Sequence, residues 1–287
     1  MKLKIGLVLS AVSLTISFLV LLLSKILFSA QKLSIFIFVI FFLLFESLFI
    51  WAVFDHKSPL FGRVFWRGSK NWPCLALTFD DGPTEPYTSA ILDILKKYQI
   101  KATFFVLGKK IELYPEILNK VAAEGHEIGN HGYCHELMPL KSPSVIRDEI
   151  RRTENLIMNL TGKKPRLFRA PHGFKGPWVL KIVREAGYQP VSWSCGVWDT
   201  DRPGEGKIIQ RSLKGFKNGA ILLFHDGRGL EEKPDCTQLI KALPVIIEKA
   251  LSRGYRLITV SELLELSRLK SKEGSEPGGE KRIKASK

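Results

Sequence analysis

The stretch Leu75-Ala76-Leu77-Thr78-Phe79-Asp80-Asp81-Gly82-Pro83 constrains this chain more than any other. Its apolar opening has the character of a buried β-strand, and two adjacent carboxylates and a Gly-Pro turn follow directly. Neighbouring residues on an extended strand point in opposite directions. Two adjacent acids that both serve one site therefore belong at a strand end, where the chain is already turning. One of them can then bind a cation while the other stays free as a base.

From residue 74 onward, strand-like and helix-like segments alternate. The strand-like segments are 75–79, 102–107, 127–129, 167–170, 190–194, 220–224 and 256–260. Helix-like segments fall at 87–98, 115–124, 143–160, 177–186, 206–216 and 238–252. Ser142-Pro143 is a good helix start, and Gly125, Gly162, Gly187 and Gly254 sit where helices should stop. Strands joined by right-handed helical crossovers build a parallel sheet, and about seven repeats suggest a barrel. The polar residues Asp80, Asp81, His131, His135, Arg169, Asp199 and His225 all lie at or just beyond the C-terminal ends of predicted strands. A barrel of this kind places its active site there.

Four motifs carry a family resemblance. Thr78-Phe79-Asp80-Asp81-Gly82-Pro83, His131-Gly132-Tyr133-Cys134-His135, Arg169-Ala170-Pro171-His172-Gly173 and Leu223-Phe224-His225-Asp226 occur in this order. Together they make the chain similar, over residues 73–268, to the polysaccharide deacetylases of carbohydrate esterase family 4, the NodB-homology domains. Two departures stand out. The residue after the first motif histidine is Gly132 where Ser or Thr is usual. Where the family commonly reads Asp-x-x-Asp-Trp, this chain reads Gly196-Val197-Trp198-Asp199-Thr200. Asp199 fits the second Asp, while Gly196 and Thr200 change the pocket wall.

The resemblance implies a distorted, incomplete (β/α) barrel and a divalent metal site. Asp81, His131 and His135 form a two-histidine, one-carboxylate set that leaves coordination positions open. Zinc is the expected ion, with cobalt or manganese as alternatives. The two histidines are four apart, on one face if that segment is helical. In the family's chemistry a divalent ion activates water and polarises the amide carbonyl. Asp80 then matches the base and Arg169 the residue that holds it. His225 matches the general acid and Asp199 the carboxylate that orients it. The backbone N–H of His172 matches the oxyanion donor. Leu223, with Trp193 or Trp198, would wall a pocket for the acetyl methyl. His56 and His126 belong to no motif.

Before this domain lie two apolar stretches, 5–24 and 33–54, each long enough to span a bilayer. The short link around Ser29–Lys32 makes them an antiparallel hairpin within a region 1–55, and Phe28-Ser29-Ala30 is a poor signal-peptide cleavage site. Residues 56–72 interleave Arg63, Arg67 and Lys70 with Phe61, Phe65 and Trp66, as an interfacial anchor would. Residues 269–287 form a basic tail without periodicity, expected to be disordered. Two spans leave both ends on one side. The charge flanks favour that side being cytoplasmic, whereas relatives of the family act outside the cell.

Formal net charge is +15, which suits an anionic membrane surface or a phosphate-bearing substrate. No nucleic-acid motif is present, so no nucleic-acid partner is expected. Cys74, Cys134, Cys195 and Cys236 form no CxxC pair and set up neither a disulfide framework nor a thiolate metal site. Cys134 is expected to be a small buried residue beside the site. The reading is a membrane-anchored, metal-dependent hydrolase that removes N-acetyl groups from an amino sugar. Its substrate is expected to be a cell-envelope polysaccharide or a lipid-linked saccharide. The alternatives are deformylation of a lipid-linked amino sugar and a non-catalytic sugar-binding protein on the same fold.

Overall fold

The structure is a computed structural model that describes residues 15–16, 18–19 and 30–273. The chain divides into two units, Met1–Phe54 and Asp55–Lys287. In the first, helix α1 runs from Ala30 to Phe54. Among the described residues it is the one helix long and apolar enough to cross a membrane, with Lys32–Phe54 at mean hydropathy 2.7. A helix of this kind near an N-terminus suits a membrane span or a signal sequence. The expected two-span hairpin is thus reduced to one supported helix. Its other arm, 5–24, lies outside the described residues apart from Thr15, Ile16, Phe18 and Leu19, which are helical.

The second unit is the expected α/β half-barrel. Its elements are β1 (Cys74–Asp80), α2 (Tyr87–Lys97), β2 (Thr103–Val106), α3 (Gly108–Leu113), α4 (Pro115–Ala123), β3 (Glu127–Asn130), α5 (Pro143–Thr161) and β4 (Leu167–Phe168). They continue with α6 (Pro177–Glu185), β5 (Gln189–Pro190), β6 (Cys195–Gly196), α7 (Glu205–Gly215), β7 (Ala220–His225), α8 (Thr237–Ser252), β8 (Arg256–Leu257) and α9 (Val260–Glu273). All strand pairs are parallel, in the order β5-β4-β3-β2-β1-β7-β6. β8 pairs with the start of β1, Cys74 opposite Arg256, on an edge that β2 reaches only from Thr78 onward.

β1 is central, and all seven of its residues are buried. A strand covered on both faces reads as a continuous apolar run. Leu75, Leu77 and Phe79 point into the larger core, where they join Phe104, Val106, Leu222 and Phe224 beneath the helices. Cys74 and Ala76 point the other way, into a smaller core with Phe105, Leu167, Trp193, Ile221 and Leu223. Val260 and Leu263 of α9 complete that inner layer. This helix continues to Glu273, five residues into the stretch expected to be a disordered tail. The rest of that tail lies outside the described residues.

The sheet ends at β5 and β6, which do not pair with one another. Residues 65–67 lie between the two ends: Phe65 bridges to Val191 just beyond β5, and Arg67 to Ala220 at the start of β7. Backbone bonds from Phe65 to Pro190 and from Ser192 to Phe65 fix this strap, and the Arg67 guanidinium donates twice to the Asn218 carbonyl. The segment 56–72, expected to be an interfacial linker, is therefore built into the domain as well. Ser142 caps α5 through the Val145 N–H, and Gly162 ends it at φ 68°.

Phe79 is fully buried and stacks on Phe104 at 5.0 Å and on Phe224 at 5.8 Å. Phe79→Ala should lower unfolding stability by about 3–5 kcal/mol, read from the denaturation midpoint. A loss below about 1 kcal/mol would mean that the core does not pack around this strand.

Candidate active site

Asp80 is the last residue of β1 and shares the inner-facing parity of Ala76 and Thr78. Continued extension would turn Asp81 to the opposite face. Instead Asp81 adopts φ 77°, the left-handed region, and both carboxylates converge. The His131 Nε2 lies 3.8 Å from Asp80 Oδ2 and 3.4 Å from Asp81 Oδ1. Gly82 follows because nothing larger fits: a Cβ there would lie 2.0 Å from Asp226 Oδ2.

Asp81, His131 and His135 place one ligand atom each within 4.8 Å of one another. The His135 Nε2 is 3.1 Å from Asp81 Oδ1. That oxygen is buried without a hydrogen-bond partner, whereas Oδ2 accepts from the Gly229 N–H at 2.8 Å. The His131 Nδ1 faces the Arg169 carbonyl at 2.7 Å. If Nδ1 donates there, the Nε2 lone pair points to Asp81. An orphaned carboxylate oxygen facing two imidazole nitrogens is a donor set that fits a divalent cation. Burial alone would raise the Asp81 pKa, but His135 and His131 hold it well below the usual carboxylate range. The two histidines do not share a helix face. Residues 131–135 form a loop, with Gly132 at φ 85° and His135 at φ 57°.

The Arg169 guanidinium is fully buried and donates to Asp80 Oδ1 at 2.6 Å, Thr78 Oγ1 at 2.8 Å and the Ser192 carbonyl at 3.0 Å. It lies over the Phe105 ring at 4.0 Å. Burial lowers its pKa, and the adjacent Asp80 carboxylate opposes this. On β7, His225 sits opposite Asp80 in register. Both its Nδ1 and its backbone N–H lie 2.8 Å from the Asp199 carboxylate. Burial disfavours the imidazolium, but Asp199, and then Asp81 and Asp80, outweigh it and raise the His225 pKa to about 9.

His172 occupies a short 3₁₀ turn at φ 60°. Its ring is 4.3 Å from that of His135, and burial followed by the neighbouring His135 and His131 lowers its pKa to about 4. Leu223 and Trp193 are 7 % exposed and share the inner core. Trp198, at φ 56°, immediately precedes Asp199. Gly196 packs against Trp193, where a Cβ would meet the indole Nε1 at 3.1 Å. Cys134 is partly buried within the ligand loop, and no group able to hold a metal among the described residues includes it.

The sequence profile of the polysaccharide deacetylase family matches residues 67–191. A peptidoglycan-N-acetylglucosamine deacetylase of Bacillus cereus is 38 % identical over 208 residues, covering 71 % of this chain and 93 % of that protein. The chain belongs to the polysaccharide deacetylase family. A chitooligosaccharide deacetylase of Bradyrhizobium is 34 % identical, over 65 % of this chain and 89 % of that one. Among solved structures, a peptidoglycan N-acetylglucosamine deacetylase superposes with TM-score 0.67 at 32 % identity, over 70 % of this deacetylase and 92 % of the other chain. A pseudoenzyme of carbohydrate esterase family 4 from Bacillus anthracis superposes with TM-score 0.64 at 30 % identity, over 69 % and 68 % of the two chains. Fold alone does not distinguish an enzyme from such a relative, so the site residues must.

Several supporting residues of this deacetylase received no role from the sequence, and all but Asp226 lie outside the motifs. Glu149 of α5 is buried and accepts the Tyr133 and Cys134 N–H groups at 2.7 and 2.8 Å. Asn130 accepts the Gly132 N–H at 2.8 Å. Together they fix the ligand loop. Lys110 is buried and donates to the Glu231 carbonyl at 2.8 Å, bracing the loop that carries Gly229. Asp226 is buried and accepts from Thr88 Oγ1 at 2.6 Å. Burial, joined by Asp81 and Asp80 and opposed by the Thr88 bond, raises its pKa to about 7. Glu149 had a legible signal: it stands at a core position of an amphipathic helix, between Ile146, Ile150, Thr153 and Ile157.

Because Glu149 holds two backbone donors of the ligand loop, Glu149→Ala should weaken divalent-cation affinity about 10–100-fold, as loss of an outer-shell partner does. Competition titration against a chromogenic chelator would measure it. Wild-type affinity in the variant would show that the loop holds its shape without this carboxylate.

Proposed function

We propose that this deacetylase removes acetyl groups from N-acetylated amino sugars of a cell-envelope polymer and releases acetate and a free amine. Relatives that deacetylate peptidoglycan N-acetylglucosamine make peptidoglycan the leading substrate class. Asp81, His131 and His135 would hold a divalent cation, which we take to be zinc. When bound, such an ion supplies Lewis acidity, lowering the pKa of water and polarising a carbonyl.

The remaining work falls to the chain. Asp80, held by Arg169 through one oxygen, keeps its other oxygen turned towards the site and acts as general base on the attacking water. The His172 N–H donates to the oxygen that becomes negative as the carbonyl turns tetrahedral. His225 gives its proton to the leaving amine, and Asp199 keeps the imidazole oriented and protonated. Leu223 and Trp193 or Trp198 wall the space for the acetyl methyl. The observation that carries this reading is the unequal treatment of two adjacent acids: Arg169 claims Asp80 Oδ1, while Asp81 Oδ1 is left for the imidazoles and an ion. We further propose that Lys32–Phe54 is retained as a membrane anchor, with the domain on the side where the polymer lies.

Two variants separate the roles. Asp80→Asn should lower kcat for acetate release from N-acetylglucosamine oligomers by about 10²–10⁴-fold and leave metal content intact. His131→Ala should lose both activity and metal, and a chelator should silence the wild type. Full activity in Asp80→Asn would remove the assigned base.

The pH dependence tests the acid. The folded pKa of His225 is raised from 6.5 to about 9. Its proton, and the stability it brings, are therefore fully present below about 6.5 and are lost as pH rises through about 9. Asp199→Asn removes the leading attraction. The alkaline limb of the kcat–pH profile should move to lower pH, and an unmoved limb would assign it to another group.

A further inference from the structure

His56 belongs to no motif, yet the structure places it against the catalytic wall. Its ring stacks on Trp193 with centroids 4.2 Å apart and planes 14° from parallel. Its Nε2 meets the Trp193 carbonyl at 3.2 Å. The segment 56–72 that carries His56 is anchored on its C-terminal side at two points. The buried Lys175 ammonium donates to the Ser58 carbonyl, and Phe65 exchanges backbone bonds with residues 190 and 192. His56 is therefore held against an indole by a fixed segment.

Trp193 in turn touches three parts of the site. A Cβ on Gly173 would fall 2.3 Å from the indole Cη2, so the backbone beside His172 lies directly against this ring. Gly196, at the start of the segment leading to Asp199, packs on the indole Nε1. The Arg169 guanidinium lies 5.8 Å from the ring centroid, and the preceding residue, Ser192, offers its carbonyl to Arg169. A shift of one indole would move the oxyanion turn, the Asp199 segment and the support of Asp80 together. Close packing transmits such shifts rather than absorbing them.

We propose that His56 is a positioning residue for this reaction: by stacking on Trp193 it fixes the indole, and through Gly173 and Gly196 the indole fixes the turn of His172 and the segment of Asp199. It touches neither substrate nor metal. The stack carries the effect, so another flat ring at 56 serves and a small side chain does not. This inference rests on the proposed roles of His172 and Asp199.

The test compares His56→Ala and His56→Phe with the wild-type full-length protein in detergent, loaded with zinc, on an N-acetylglucosamine pentamer. His56→Ala should lose about tenfold in kcat, the scale expected for a sub-ångström misplacement, with KM within about twofold and metal content unchanged. His56→Phe keeps the stacked ring and should restore kcat to within about threefold of wild type. A structural role alone would lower thermal stability without this rescue. Amide hydrogen exchange on the same samples gives a readout independent of turnover: peptides covering 170–175 and 194–199 should exchange faster in His56→Ala, and those covering β1 should not. Unchanged kcat, or equal losses in the two variants, would overturn the proposal. So would unchanged exchange at 170–175. If the wild type releases no acetate, the proposed activity fails while the exchange data still decide the role of His56.

Discussion

The buried pair of Arg169 and Asp80 sets the terms for the rest of the site. Two adjacent carboxylates brought to one point in a low-dielectric interior repel each other, and each needs its own counter-charge. Arg169 supplies one from just beyond the end of β4, 2.6 Å from Asp80, and is itself sheltered by Phe105 and Trp193. The cation proposed between Asp81 and the two imidazoles would supply the other. Removing one partner from a buried pair leaves an uncompensated charge and is costly. The geometry that makes Asp80 and Asp81 chemically different is therefore also the geometry that lets both be buried.

That division depends on backbone conformations side chains rarely adopt. Asp81, His135, His172 and Trp198 all have φ between 56° and 77°. Each lies at the site, and the first three each turn a ligand or a neighbouring ring towards the same point. Left-handed non-glycine residues cost free energy and persist only where surrounding contacts over-determine them. Here those contacts are identifiable. Gly82 admits Asp226 against the first turn, Glu149 and Asn130 gather the N–H groups of the second, and Trp193 backs the third through Gly173.

Much of this was legible in the chain because parallel strands announce themselves. The run Leu75–Phe79 is buried on both sides and has no alternation to hide it. The strand ends gave the site, since Asp80, Asn130 and His225 each close a strand. What escaped had little local pattern. β6 is two residues long, and α9 begins where a strand was expected to end. The supposed helical face of His131 and His135 fails because Gly132, between them, lies at φ 85° and His135 at φ 57°. Lys110 acts through a distant backbone carbonyl, so no spacing between neighbours reveals it.

The strap shows how composition can mislead about placement. Phe61, Phe65, Trp66 and the basic residues among them have the composition of an interfacial anchor, and the same composition suits closing an open sheet. Phe65 fills the inner core, while the Arg67 guanidinium satisfies a carbonyl that no strand reaches. A half-barrel exposes edge groups and one mouth of its core, so something must cover them. In this chain the cover begins one residue after α1 ends. His56, which stacks on Trp193, lies in this cover, so the wall of the proposed site is built partly from residues that precede the family's first motif.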